Sequence, residues 1–175
     1  MAAVDASSVG AGVGVAAIAL SVSLQMIARK GGGGGGKGHG KEHGGGGGKL
    51  GKVWAVMENP VLHIVLWITG GVGMVGTGMG AWVNSVVTWA NTEVSGLLTP
   101  WVGLGLAWLV SLALIVMLIK DIRGNRAGPR TLGLAATSPF AVVAIPGSVG
   151  AGLATAITFV SSLVGGVVGW AFGLR

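Results

Sequence analysis

The chain has neither cysteine nor tyrosine. The first absence excludes disulfides, thiolate metal sites and cysteine nucleophiles. Charge is scarce too. Asp, Glu, Lys and Arg make up 9% of the 175 residues, against about 25% in a soluble domain. With 51% hydrophobic residues, so few charges cannot cover the chain in water. A mean hydropathy of +0.79 agrees, and the surplus apolar surface predicts a lipid bilayer as partner. No nucleophile and base, paired carboxylates, phosphate-binding loop or dinucleotide fingerprint is legible. The expectation is therefore a protein that is not an enzyme and holds no cofactor.

What is present is organised by apolar runs. Val9 to Ala28 is 20 residues long, has one interior amide, Gln25, and stops at Arg29-Lys30. At about 1.5 Å per residue it matches a hydrocarbon core of about 30 Å. Asp5 precedes this run and the basic pair follows it, the reverse of a cleaved leader, so residues 1–30 read as a retained first transmembrane helix. Residues 31–52, GGGGGGKGHGKEHGGGGGKLGK, have almost nothing to bury and read as a disordered, basic, Gly-rich loop.

Residues 53–175 read as a three-span membrane region. Asn59-Pro60 is a start signal for a span from Val61 to about Val83. Its second half holds Gly70, Gly71, Gly73, Gly76, Gly78 and Gly80, which implies close helix packing or an unwound segment. Thr99-Pro100 repeats the signal before a span from Trp101 to Ile119, and Val149 to Phe172 forms the last. The stretch near 131–147, with Pro139 and Pro146, is too short to span and reads as interfacial or re-entrant. The fold class expected is all-α: a polytopic helical membrane protein of about four transmembrane helices.

The charges supply an orientation. Arg29, Lys30, Lys37, Lys41, Lys49 and Lys52 lie between spans one and two, and Lys120, Arg123, Arg126 and Arg130 between three and four. These are ten of the 11 basic residues, while Asp5 and Glu93 fall on the opposite side. The positive-inside rule then predicts a multi-pass cell-membrane protein with both termini outside and both basic loops cytoplasmic.

Three groups of residues are candidates for chemistry. Lys37, Lys41, Lys49 and Lys52 can contact phosphate nonspecifically, from DNA or from anionic lipid. Gly165, Gly169 and Gly173 recur every four residues, placing them on one helical face for helix packing or a homo-oligomer. His63 and Gln25 fall near the inner face, where a histidine suggests a relay or an interfacial hydrogen bond. His39, Glu42 and His43 lack the supporting groups a metal site uses, so no metal is expected.

The Ala, Gly and Val-rich spans, the loop beginning ARKGGGGGGKGHGKEH and the second basic stretch KDIRGNRAGPR together resemble the small spread-type membrane proteins of actinomycete conjugative plasmids. The likeness is one of layout along the whole chain. It implies a role in passing double-stranded DNA between compartments beside an FtsK-like cytoplasmic translocase. It carries over no residue. The expectation is a non-enzymatic oligomeric membrane protein of a DNA-transfer or secretion apparatus, with a holin-like pore-former and a small transporter subunit as alternatives.

Overall fold

The computed structural model describes residues 9–31, 59–102, 108–124 and 128–174. Among these the regular structure is entirely helical: α1 Ala11–Gly31, α2 Pro60–Met74, α3 Gly78–Val102, α4 Leu109–Arg123, α5 Pro129–Val143 and α6 Gly147–Ala171. The loop lysines and the His39, Glu42, His43 cluster lie outside the described residues.

The direction of each helix follows from its contacts. Gly14 of α1 meets Gly70 and Gly73 of α2, and Ser21 meets His63, so α1 and α2 run antiparallel. Ile64 clusters with Leu132 and Ala135, and Val72 with Ala141 and Val142, so α5 runs parallel to α2. Asp121 bonds Thr131 across an antiparallel α4–α5 pair. The tight turn Ala144–Pro146 reverses the chain into α6, which places Ala154 with Val72 and Val168 with Leu66. Five helices thus alternate in direction around a central α2, and α1 and α6 point the same way.

Two glycine contacts set how closely the helices approach. A Cβ on Gly14 would lie 2.9 Å from the Gly73 Cα, and a Cβ on Gly71 would strike the Ala136 carbonyl oxygen of α5. Small residues at such crossings let backbones pack directly, which in lipid replaces the hydrophobic drive available in water.

Several expectations are corrected. The span from Val61 to Val83 is broken: α2 ends at Met74, and α3 leaves at 102°. Thr77 makes the corner. Its hydroxyl donates to the Met74 carbonyl at 2.7 Å and accepts the Gly80 N–H at 3.2 Å, capping α3. Thr99-Pro100 starts no helix, because α3 runs through it and Pro100 sits in its last turn, where a missing N–H costs little of the remaining ladder. The third span is shifted, with α4 extending past Ile119 to Arg123.

The stretch near 131–147 is helical over most of its length. It forms a continuous helix, α5, buried along Leu132, Ala135, Pro139, Phe140 and Val142. Pro139 removes the N–H that the Ala135 carbonyl would accept, and the neighbouring Ser138 hydroxyl donates to that carbonyl instead at 2.7 Å. Of the expected spans, among the described residues α6 alone is by itself long and apolar enough to cross a bilayer, and the bent pair α2–α3 is a second if taken as one span.

Candidate functional site

The polar residues within these apolar helices are concentrated at three contacts. Gly14, Ala17 and Ser21 form the buried stripe of α1, which turns Ser21 onto α2. Ser21 Oγ lies 2.9 Å from His63 Nδ1 and accepts the Trp67 Nε1–H at 3.1 Å. Trp67 can only donate, so Ser21 Oγ is an acceptor toward the indole, while its role toward Nδ1 depends on the imidazole tautomer. His63 is 5% exposed and Ser21 fully buried. A serine beside a histidine is the beginning of a nucleophile–base set, but this hydroxyl is sealed between two helices with an indole upon it. It is a fastening between α1 and α2.

The second contact is at the same end of the bundle. Thr131 Oγ1 donates to Asp121 Oδ2 at 2.9 Å and closes the α4–α5 hairpin. Around it Lys120, Arg123 and Arg130 are exposed, and the Arg130 Nη2–H reaches Met117 Sδ at 3.4 Å. Lys120 and Arg123 stand in the last turn of α4, where cations offset the partial negative charge of the helix terminus. The third contact is at the opposite end: Asn91 of α3 donates from Nδ2 to Ser111 Oγ at 2.8 Å and accepts the Ser111 N–H at 3.2 Å.

Of the residues singled out in the sequence, His63 is brought to a buried polar partner, while Gln25 is half-buried with no bond to it. Gly165 and Gly169 face Val9, just before α1, and Val13 of α1 within the same chain. Gly173 does something different. At φ +65° it ends α6, with the Leu174 N–H bonded to the Gly169 carbonyl at 2.9 Å, a left-handed cap that favours glycine. Ser21, Trp67, Asn91, Ser111 and Thr131 were not singled out. Their only sequence signal is polarity inside apolar runs. The hydroxyls of Thr158 and Ser161 on α6 are buried without a partner.

Among the described residues no three His, Asp or Glu side chains stand together as metal ligands. An apolar recess of about 280 Å³ between Trp108, Leu112, Ile145, Pro146 and Val149 offers no charged group to orient a ligand. No protein-family profile matches the chain, and no curated protein or solved structure is significantly similar to it.

Proposed function

We propose that the chain is a non-enzymatic integral membrane protein that crosses the bilayer five times and presents a cationic cytoplasmic surface to DNA, as part of a transfer apparatus. The observation that supports this reading is the exposure of Lys120, Arg123 and Arg130 at the end of the bundle where α1 ends and α2 begins, beside exposed apolar sides. Residues 32–58, with Lys37, Lys41, Lys49 and Lys52, follow α1 and precede α2 in the sequence. Lys120, Arg123 and Arg130 are exposed where α4 meets α5, at that same end. The last helix also finishes there, just before Arg175.

The membrane part of the reading is supported by α6. It has 25 residues, is long and apolar enough to cross, and is mostly exposed, whereas the core helix of a soluble protein is mostly buried. Phe159 at 63%, Leu163 at 57% and Val167 at 67% exposure would face water at a steep cost, and face lipid at none. Helices α2, α4 and α5, at 15 residues each, are about 22 Å long against a hydrocarbon core of about 30 Å. Flanking apolar residues and local thinning of the bilayer make up the difference.

Five crossings change the orientation expected from four. The N-terminus remains outside, the C-terminus moves inside, and all 11 basic residues then fall on the cytoplasmic side. The glycine face of α6 is engaged within one chain, so this reading does not use it for assembly.

The test is DNA binding by the whole protein in phosphatidylcholine vesicles that expose the cytoplasmic face. Unrelated duplexes should bind equally, and affinity should fall steeply with salt. Replacing Lys37, Lys41, Lys49 and Lys52 with Gln should flatten the salt slope by up to about 3.6, at about 0.9 per phosphate contact. Absence of binding at low salt would remove DNA as the partner, and an unchanged slope in the variant would remove the loop lysines as its contact.

A further inference from the structure

Helix α3 has features that neither crossing the bilayer nor filling the bundle accounts for. It leaves α2 at 102°, close to perpendicular to the bundle, at the end opposite the basic segments. It is 25 residues long and includes no basic residue. Three different surfaces run along it. Gly80, Val87 and Asn91 are buried against the bundle, with Asn91 fixed to Ser111 by two hydrogen bonds.

Counting about 100° per residue from Val87, Ser85, Thr88, Thr92, Ser95 and Thr99 occupy the sector from about 80° to 160°. All but the half-buried Ser95 are exposed. Met79, Trp82, Val86, Trp89 and Leu97 occupy about 200° to 280°, and all five are exposed large hydrophobics, Leu97 by 71% and Trp82 by 67%. The helix therefore has a docked side, a hydroxyl-bearing side and an apolar side, arranged in parallel along its length.

We infer that α3 lies in the plane of the outer membrane interface, with Met79, Trp82, Val86, Trp89 and Leu97 turned into the headgroup–acyl boundary and the Ser/Thr arc turned to water. The inference rests on the membrane reading above and adds a lipid contact that the span count does not contain. Tryptophan is the residue suited to this depth, where its ring meets hydrocarbon and its N–H meets headgroups. A second copy of the chain is a poorer occupant, because the hydroxyl arc beside the apolar one would be drawn out of water with it. Glu93 lies within the apolar arc, near the middle of α3. In a crossing helix it would sit deep in hydrocarbon, whereas at the interface its side chain reaches the headgroups. With one acid and no base, the surface fits a zwitterionic leaflet, not an anionic one.

The chain lacks cysteine, so nitroxides can be placed singly by cysteine substitution on the full-length protein in phosphatidylcholine vesicles. The sites are Met79, Val86 and Leu97 on the apolar arc, Ser85 and Thr92 on the hydroxyl arc, and Leu163 on α6 as a lipid reference. All but Leu163 are exposed on α3 and Leu163 is exposed on α6, so the labels disturb no core. Collision with oxygen and with a water-soluble nickel chelate gives depth. The expected result is one shallow depth shared by positions 79, 86 and 97, with positions 85 and 92 open to nickel. Depth that increases toward the middle of α3 would mean that it crosses, and would overturn the inference while leaving the membrane reading intact. Shielding of 79, 86 and 97 from both reagents would mean that protein covers the arc, and would also overturn it. Nickel access at Leu163 would overturn the membrane reading itself.

Discussion

Replacing Gly71 with alanine sets two effects of opposite sign against each other, and the structure decides between them. Alanine in place of glycine within a helix stabilises by about 0.5–1 kcal/mol, because less backbone freedom is lost on folding. The new Cβ, however, would run into the Ala136 carbonyl oxygen and stand 3.2 Å from Pro139 Cγ. Neither neighbour can yield by a rotamer change: one is helix backbone and the other a proline ring, on a buried face of α5. Overpacking of this kind costs about 1–3 kcal/mol, so G71A should lose about 0.5–2 kcal/mol net. Gly133 on the same helix has nothing within 4 Å of the added carbon and is exposed. G133A should accordingly be neutral or stabilised by up to about 1 kcal/mol. Reversible unfolding of both variants in mixed detergent and SDS micelles, followed by circular dichroism, measures the pair. G71A at or above the parent stability, or equal losses in both variants, would refute the close α2–α5 crossing.

The remaining predictions use the polar contacts and the helix directions. S21A should destabilise by about 1–3 kcal/mol in the same unfolding assay, because it strands the Trp67 N–H and removes the partner of His63 Nδ1; an unchanged midpoint would mean that the α1–α2 fastening is not formed. S138A should cost about 1–3 kcal/mol by leaving the Ala135 carbonyl above Pro139 without a donor, and S138T should restore most of it. In intact cells an impermeant thiol reagent should modify T92C and spare G128C and L174C; modification of L174C would return the C-terminus to the outside and the count of crossings to four.

The all-helical class was legible because the apolar runs are long and broken by recognisable caps. Asn59 caps α2 through its side chain, accepting the Val61 N–H at 2.9 Å, and the last apolar run forms α6 nearly end to end. The cluster of glycines after Ile68 carried both of the alternatives drawn from it. Gly71 and Gly73 serve close packing, and the chain turns at Gly76. Sequence periodicity could not choose where one ends and the other begins, since that depends on Thr77 bonding back to Met74. Thr99-Pro100 misled for a related reason. A capping-type residue followed by proline, as at the start of α2, lies at the far end of α3, because a proline is tolerated in a final turn as well as a first one.

Helix α5 was obscured by a local rule applied without its tertiary exception. Pro139 marks a break in an isolated helix, and a 15-residue stretch is short of a bilayer. In the fold the break is repaired by Ser138, one residue away, and the stretch is covered by α2, α4 and α6. Once α5 counts as a helix running with α2, the reversal at Pro146 forces α6 to run with α1, and the basic residues at the ends of α1, α4 and α6 fall together. On the five-crossing proposal, the one basic residue that the four-span reading leaves on the other side joins the ten. A charge pattern that improves when a helix is added from packing alone is an independent argument for that helix, because the contacts of α5 involve none of those charges except Arg130.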